Sequence, residues 1–238
     1  MSRLLITASL LFAFSATATA SESHFAQPPA ADRAELMPRA GDVAVPPAGY
    51  RVAPRRVLDR TTVRAALAQA RATNLAAFRV YQKRGVFPSN TFKPGKLNVW
   101  LDADGHFCAA ATIIKMSGQD DLVTKVAEQN NFIRLADVKQ GPLMDWILTS
   151  GLTQDEIAAI QEPFRPVVDE PKLEPVKPIL VDAKLRQAED ARLRAKYTAV
   201  DKMIVKNAKQ SLDLATDRLM KHPTLAWQLI NSQRTIEG

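Results

Sequence analysis

The stretch KLNVWLDADGHFCAAATII, residues 96–114, decides the predicted fold class. Residues 97–102 place an apolar side chain at every second position, which is typical of a half-buried strand. The pair Asp104-Gly105 follows, and it readily adopts the positive φ values that a two-residue turn requires. We therefore expect a β-hairpin over 96–114, with residues 106–114 as its returning strand.

Helices are expected on both sides of this hairpin. An apolar period near 3.6 residues predicts a helix over 62–84, capped by Thr61 or Thr62. Thr153 and Glu156 match the capping box, in which each side chain accepts a hydrogen bond from the other residue's backbone N–H. A helix to about residue 161 follows from that motif. Two more short helices are expected, at 120–129 and 142–149.

A third strand, over residues 132–138, completes the predicted core. Together with the hairpin 96–114 it would form a small antiparallel sheet. Short helices on either side of that sheet are then required to bury its apolar face. The sequence therefore predicts an α+β core domain over residues 61–162.

A proline-rich segment and a long helix follow this core. The five prolines between residues 163 and 178 predict a stiff, extended linker over 163–181. Asp182 then caps a run to about Lys221 that lacks Gly and Pro and has apolar residues at steps of three and four. This pattern predicts one long amphipathic helix, 182–221, within a C-terminal region that extends to residue 238. We expect the helix to dock on the core or on a protein partner, with self-association as a coiled coil as the alternative.

The N-terminus has the layout of a secretory signal peptide. Arg3 is followed by an apolar run, residues 4–14, and by small residues ending in Ala18-Thr19-Ala20. We expect a signal peptide over 1–20, cleavage after Ala20, and a mature chain in the periplasm or outside the cell. The run is shorter than the roughly 20 residues of a membrane-spanning helix, so no transmembrane segment is expected in the mature chain. An uncleaved anchor is the alternative. Residues 21–60 are predicted to form a flexible, basic arm rich in Pro and Ala.

Charge is distributed unevenly along the chain, whose formal net charge is +7. Residues 73–162 contain nine basic and ten acidic side chains, whereas residues 31–72 contain eight and four, and residues 182–221 contain ten and six. The arm and the helix therefore carry the excess. For the helix we favour a solvated face whose acids and bases pair at helical spacing. The alternative is binding to an anionic envelope polymer, and no nucleic acid is expected as the partner of an exported chain.

His106 and Cys108 are the candidate catalytic residues. They lie two apart on a predicted strand, so their side chains would share one face, where an imidazole can generate an attacking thiolate. The sequence marks no orienting third group and no oxyanion site for this pair. A lone cysteine in an oxidising compartment is otherwise a buried structural thiol. Enzymatic activity is therefore left open, and the interpretation leans towards none.

Asp102 and Asp104 are the candidate metal ligands. With Gly105 they fit the centre of a calcium loop, but EF-hand spacing would place Trp100 at the first ligand position. The chemistry of a tight turn explains both aspartates. Asp120 and Asp121 are interpreted as helix caps. We expect no cofactor, and the single cysteine excludes a multi-cysteine zinc site.

Several short motifs between residues 75 and 163 form a distinctive set. They include Phe87-Pro88-x-Asn90, Leu101-Asp102-x-x-Gly105-x-x-Cys108-Ala109 and Ser150-Gly151-Leu152-Thr153-x-x-Glu156 with Ile160-Gln161. This set resembles that of a family of bacterial secreted proteins of unknown function, and the resemblance implies no activity, cofactor or partner. We therefore expect a non-enzymatic structural or interaction module of the cell envelope. The alternatives are an envelope enzyme with a thiol site and a binder of anionic envelope polymers.

Overall fold

Eight α-helices form the part of the chain that the computed structural model describes, residues 57–236. They are α1 (Arg60–Arg84), α2 (Ala109–Met116), α3 (Asp120–Gln129), α4 (Pro142–Thr149), α5 (Gln154–Ile160), α6 (Ala183–Lys206), α7 (Ala208–Leu219) and α8 (Pro223–Ile236). A 3-10 turn, Leu135–Asp137, lies between α3 and α4. The expected signal peptide, its cleavage site at Ala20 and almost all of the expected arm lie outside the described residues.

The expected α+β fold is wrong, because the described residues are helical and form no sheet. The turn of the expected hairpin 96–114 exists, with the Gly105 N–H donating to the Asp102 carbonyl at 3.2 Å. The returning strand does not exist. Cys108 caps α2 instead, and its Sγ accepts a hydrogen bond from the Ala111 N–H. The alanines after Cys108 have the highest helix propensity of any residue, which favours the helix over the expected strand.

The third strand expected over 132–138 is also absent. The Leu135 N–H donates to Gln161 Oε1, and Gln161 Nε2 donates to the Ile133 carbonyl, both at 2.8 Å. Gln154 Nε2 donates to the carbonyls of Leu135 and Val138. The backbone polar groups of this segment therefore bond to side chains rather than to a neighbouring strand. Isolated β-bridges remain at Asn90–Pro166, Leu97–Phe164 and Leu101–Phe107.

Helix α1 is the element around which the others pack, since α2, α6, α7 and α8 all contact it. Its position confirms the helix expected over 62–84, although the cap is Asp59, which accepts a hydrogen bond from the Thr62 N–H. Leu67 and Phe78 on its inner face are fully buried. The helix ends at Gly85, whose φ of 65° lies in the left-handed region that glycine adopts without strain.

Helices α3, α4 and α5 lie where the sequence predicts them. The capping box of α5 is present, with the Thr153 hydroxyl accepting from the Glu156 N–H and the Glu156 carboxylate accepting from the Thr153 N–H. Asp120 and Asp121 occupy the first turn of α3 rather than its cap position, which is Gln119. Their negative charges there are favourable beside the positive end of the helix dipole.

The single long helix expected over 182–221 is interrupted at Asn207. Asp182 caps its start as predicted, accepting hydrogen bonds from two backbone N–H groups. The interruption has a physical basis: Arg71 Nη2 donates to the Ile204 carbonyl at 2.9 Å. Ile204 lies in the last turn of α6, where a carbonyl has no partner within the helix. The chain continues beyond α7 as a further helix, α8.

Helices α6 and α7 run antiparallel to α1. The pairs Arg60–Asp217 and Arg64–Asp213 show that a step of four residues up α1 corresponds to a step of four residues down α7. The next pair, Arg79–Asp201, is 15 residues further along α1 but only 12 residues further back along the chain, so the register shifts by three across the interruption at Asn207. The apolar residues Leu193, Tyr197, Val200 and Ile204 of α6 are buried in the hydrophobic core. The face that a coiled coil between two copies would need is therefore already covered by the described core.

The proline-rich segment 163–181 contributes to the same core. Phe164 and Val167 are buried, with 1% and 0% of their surface exposed. The Asp182 N–H donates to the Val167 carbonyl at 2.9 Å, which brings the two ends of the loop 168–181 together. The helices before and after this segment therefore share one hydrophobic core rather than being held apart by it. None of the helices that the structure describes is both long and apolar enough to cross a membrane.

Candidate functional site

Asp102 organises the turn that contains the candidate metal ligands. Its Oδ1 accepts hydrogen bonds from the backbone N–H groups of Asp104 and His106, at 3.0 and 2.8 Å, and its Oδ2 accepts from the Ser89 N–H at 3.0 Å. The Asp104 carboxylate lies 3.9 Å from the Lys177 ammonium. Among the described residues there is no group of three or more His, Cys, Asp or Glu side chains that could hold a metal ion. The geometry around Asp102 is that of a side chain that stabilises a tight turn.

The structure brings His106 to Asp102 rather than to Cys108. His106 Nδ1 lies 3.2 Å from Asp102 Oδ2. The Cys108 residue is 1% exposed, and its Sγ is occupied as the cap of α2. Burial raises the pKa of the Cys108 thiol to about 12, so the thiol is protonated at neutral pH. The arrangement therefore lacks the thiolate that nucleophilic catalysis by cysteine requires.

A buried ion pair at the centre of the described fold was not anticipated from the sequence. Arg71 on α1 and Glu156 on α5 each have 4% of the side chain exposed. Their contact is bidentate, with Nη1–Oε2 and Nη2–Oε1 distances of 2.8 and 2.7 Å. Burial raises the pKa of Glu156, but the hydrogen bonds from Arg71, Thr153 and Ser211 outweigh it, and the pKa lies below its ordinary value.

The same pair links four helices and the loop before α5. Arg71 also donates to the carbonyls of Gly151 and Ile204, and Glu156 also accepts from the hydroxyl of Ser211 on α7. The signal in the sequence is Arg71 itself, which lies one helical turn after the core residue Leu67 on the apolar face of α1. A buried arginine needs several acceptors. The sequence does not show that these acceptors come from α5, from α6 and from the loop before α5.

Gly151 brings that loop directly against α1. A Cβ atom at this position would lie 2.1 Å from the Leu67 carbonyl oxygen and 2.7 Å from the Arg71 backbone nitrogen. Its φ is 74°, a conformation that other residues rarely adopt. Glycine at 151 is therefore required both by the space available and by the backbone conformation.

The acidic side chains of α6 and α7, together with the α6 cap, all have partners within the described protein. Asp201, Asp213 and Asp217 pair with arginines of α1. Within α6, Glu189 pairs with Arg192 and Asp190 pairs with Arg186. Asp182 caps the helix. The negative charge of this part of the chain is thus neutralised internally.

Several exposed basic side chains of α6 and α7 are mostly not neutralised. Arg194, Lys202 and Lys206 have no ion-pair partner in the described part of the chain. Lys209 is 90% exposed and lies 3.9 Å from Asp213, which Arg64 already binds. Lys202 and Lys206 lie opposite the buried Leu193–Ile204 face, Arg194 lies beside that face with its guanidinium over the Phe87 ring, and Lys209 lines a hollow with Lys206 and Asp213. We call Arg194, Lys202, Lys206 and Lys209 the cationic stripe.

Comparison with known proteins finds no match among protein-family models, curated proteins or solved structures. The resemblance to a family of bacterial secreted proteins therefore stays a prediction. The function has to be argued from the residues and geometry of this chain alone.

Proposed function

We propose that the protein is an exported, non-enzymatic binding module, and that its cationic stripe binds an anionic polymer of the cell envelope. The observation that carries the proposal is the division of charge across α6 and α7. Their acidic side chains bond to α1 or to neighbours on α6, whereas the cationic stripe is exposed and three of its four members have no ion-pair partner among the described residues. The expected signal peptide supports export.

The dimensions of the stripe favour a polymer over a small anion. From Arg194 to Lys209 it spans 15 residues, or about 22 Å at a helical rise of 1.5 Å per residue. A small anion can contact one or two of these side chains. An extended chain that carries carboxylates or phosphates at intervals can contact all four, and its favourable Coulomb terms add along the stripe.

The non-enzymatic part of the proposal is supported by the surroundings of the candidate catalytic residues. Cys108 is buried and protonated, and the polar groups around Asp102 are used by the turn. We expect a thiol reagent to leave Cys108 unmodified in the native protein and to modify it fully in denaturant. The test is the labelling rate as a function of pH. A native thiol that reacts with an apparent pKa near or below about 7 would refute this part of the proposal.

The binding test uses polygalacturonate, a carboxylated polysaccharide, as the probe and neutral dextran as the polymer control. The protein is the mature chain from residue 21. In the test variant Lys202 and Lys206 are both changed to Glu, and in the matched control the exposed Lys83 and Lys221, on α1 and after α7, are both changed to Glu. The two variants have the same net charge, so they separate a local effect from a general one.

We expect the wild-type chain to bind polygalacturonate at about 50 mM salt, with an affinity that falls steeply as salt is raised. The Lys202/Lys206 variant should bind at least about tenfold more weakly, and the control variant should stay within about threefold of wild type. Equal weakening of both variants, or no binding to the polygalacturonate at low salt, contradicts the proposal.

A further inference from the structure

A groove lies on a different part of the described surface, between α3 and the start of α4. It has a volume of about 680 Å³, and the segment that connects the two helices forms one of its sides. Its apolar lining consists mainly of Leu122, Val126, Ile133, Val138 and Leu143. Val126 and Leu143 are buried, and the other three are half-buried. We call this the α3–α4 groove.

The polar residues along the α3–α4 groove are mainly cationic. Lys125, Arg134 and Lys139 line it, and Asp137 is the single acidic residue among the described residues that do so. Arg134 lies 3.6 Å from Asp137 and neutralises it. Lys125 and Lys139 are exposed and have no ion-pair partner within the described part of the chain. An occupant with negative charge is therefore favoured over a neutral or basic one.

The α3–α4 groove continues past Phe132 into a second hollow of about 430 Å³, because Phe132 and Arg134 line both. Lys96 lines the second hollow and lies 3.4 Å from Glu162, and no acidic side chain of the described residues lines this hollow. Phe132 is held in place by an edge-to-face contact with Phe92, at 5.3 Å between ring centroids. The two hollows together form one elongated surface with apolar and aromatic residues along its floor and cations along its rim.

We propose that this elongated surface binds an extended acidic peptide segment of a partner protein. The apolar side chains of the segment would contact the floor, and its carboxylates would pair with Lys125 and Lys139. Both features are needed to choose this class of ligand. An apolar floor gives a polysaccharide or polyphosphate little to contact, and a cationic rim disfavours a purely apolar or basic peptide. The proposal does not depend on the cationic stripe or its polymer.

The probe is a fluorescein-labelled peptide in which glutamate and leucine alternate. Two further peptides serve as controls: glutamate alternating with serine, which keeps the charge, and lysine alternating with leucine, which keeps the apolar side chains. Binding to the mature chain is measured by fluorescence anisotropy. The variant in which Lys125 and Lys139 are both changed to Glu tests the site, and the Lys83/Lys221 variant is the matched control of equal net charge.

We expect the glutamate–leucine peptide to bind saturably and the two control peptides to bind at least about tenfold more weakly. The Lys125/Lys139 variant should lose at least about tenfold in affinity, while the Lys83/Lys221 variant stays within about twofold of wild type. Changing Leu122 to Ser, which removes apolar floor without altering charge, should also weaken binding.

Three results would overturn the proposal. The first is equal affinity for the glutamate–leucine and glutamate–serine peptides, which indicates plain charge attraction. The second is the absence of saturable binding. The third is a concentration-dependent dimer that the Lys125/Lys139 variant abolishes, since a second copy of the chain would then occupy the surface. Sedimentation of the wild-type chain and both variants distinguishes this last case.

Discussion

The charged side chains of α6 and α7 form an inner side, which pairs with α1, and an outer side, the cationic stripe, which mostly lacks ion-pair partners among the described residues. On the side facing α1, each of three aspartates meets an arginine and the helix ends close around the Arg71–Glu156 pair. On the other side, the cationic stripe faces solvent. The net charge of a helix therefore does not give the charge of its exposed surface, because internal partners neutralise some of its side chains. The inner side should control stability, and the outer side should control binding.

The largest loss of stability is expected from changing Gly151 to Ala, in the loop that packs against α1. The new Cβ would overlap the backbone of α1, so the helix and the loop before α5 must separate. We expect a loss of more than about 4 kcal/mol in the free energy of unfolding, measured with urea. Gly118 is the matched control, because its φ is also positive, at 82°, but nothing lies within 4 Å of the position of a Cβ. Its change to Ala should cost about 1 kcal/mol, and equal losses would contradict the proposed close contact.

The next largest effect is expected from changing Arg71 to Met. The change leaves the Glu156 carboxylate buried without its partner, which typically costs about 3 to 4 kcal/mol. Changing Glu156 to Met as well should recover part of this loss, since the uncompensated charge disappears. Urea unfolding of the two single variants and the double variant forms a thermodynamic cycle. Additive losses in that cycle would show that the two side chains do not interact.

The exposed ion pair between Arg79 and Asp201 provides a contrast with the buried Arg71–Glu156 pair. Arg79 and Asp201 have 54% and 24% of their side chains exposed. Because exposed ion pairs are screened by solvent, changing Arg79 to Met should alter the free energy of unfolding by no more than about 0.5 kcal/mol. A loss as large as that of the Arg71 variant would mean that burial does not separate the two pairs.

Stability should decrease on the acidic side of neutrality. The pKa values of Glu156 and Glu162 are lowered in the folded protein, in each case because hydrogen bonds from arginine outweigh the opposing effect of burial. The unfolded chain therefore binds protons first, starting near the ordinary glutamate value of 4.5. The contribution of both residues is complete above that pH and is lost as the pH falls through the lowered folded values. Urea unfolding between about pH 7 and 3 measures it, and changing Glu162 to Gln should flatten the curve. Changing the exposed Glu128 to Gln is the matched control, and it should leave the curve unchanged.

The smallest effect on stability is expected on the outer side. Changing Lys202 and Lys206 to Glu removes no contact within the described protein, so the free energy of unfolding should change by less than about 0.5 kcal/mol. The same variant is the one expected to lose polymer binding. A large loss of stability would show that the stripe takes part in the fold and would remove the contrast between the two sides.

Local signals in the sequence predicted several helices well. The capping box at Thr153, the proline at position 142 and the apolar period of α1 act through residues at most a few positions apart, and these helices lie where expected. The stretch 96–114 misled because its first residues alternate as a strand does, whereas in the structure they form a loop in which the adjacent Val99 and Trp100 are both buried. Helix α2, which follows, is capped by the sulfur of Cys108, and cysteine is an uncommon cap residue.

The central contacts depend on residues far apart in the chain and could not be predicted in the same way. Arg71 meets the Ile204 carbonyl across 133 residues and Glu156 across 85. The interruption at Asn207 has no strong local signal, since neither Gly nor Pro is present. The cationic stripe was detectable as an excess of basic residues, but its separation from the paired acids required the register between α1 and α7.

The register between α1 and the C-terminal helices also has a consequence for how the protein is made. Arg60 pairs with a residue 157 positions later, and the Ala66 carbonyl accepts from Gln233, 167 positions later. The first helix of the described fold thus obtains much of its packing from the last helices to be synthesised. Contacts of such long sequence separation slow folding. The packing of this helix is therefore completed only after the last helices have been synthesised, and a product truncated before α7 would leave part of its buried face exposed and be prone to aggregation.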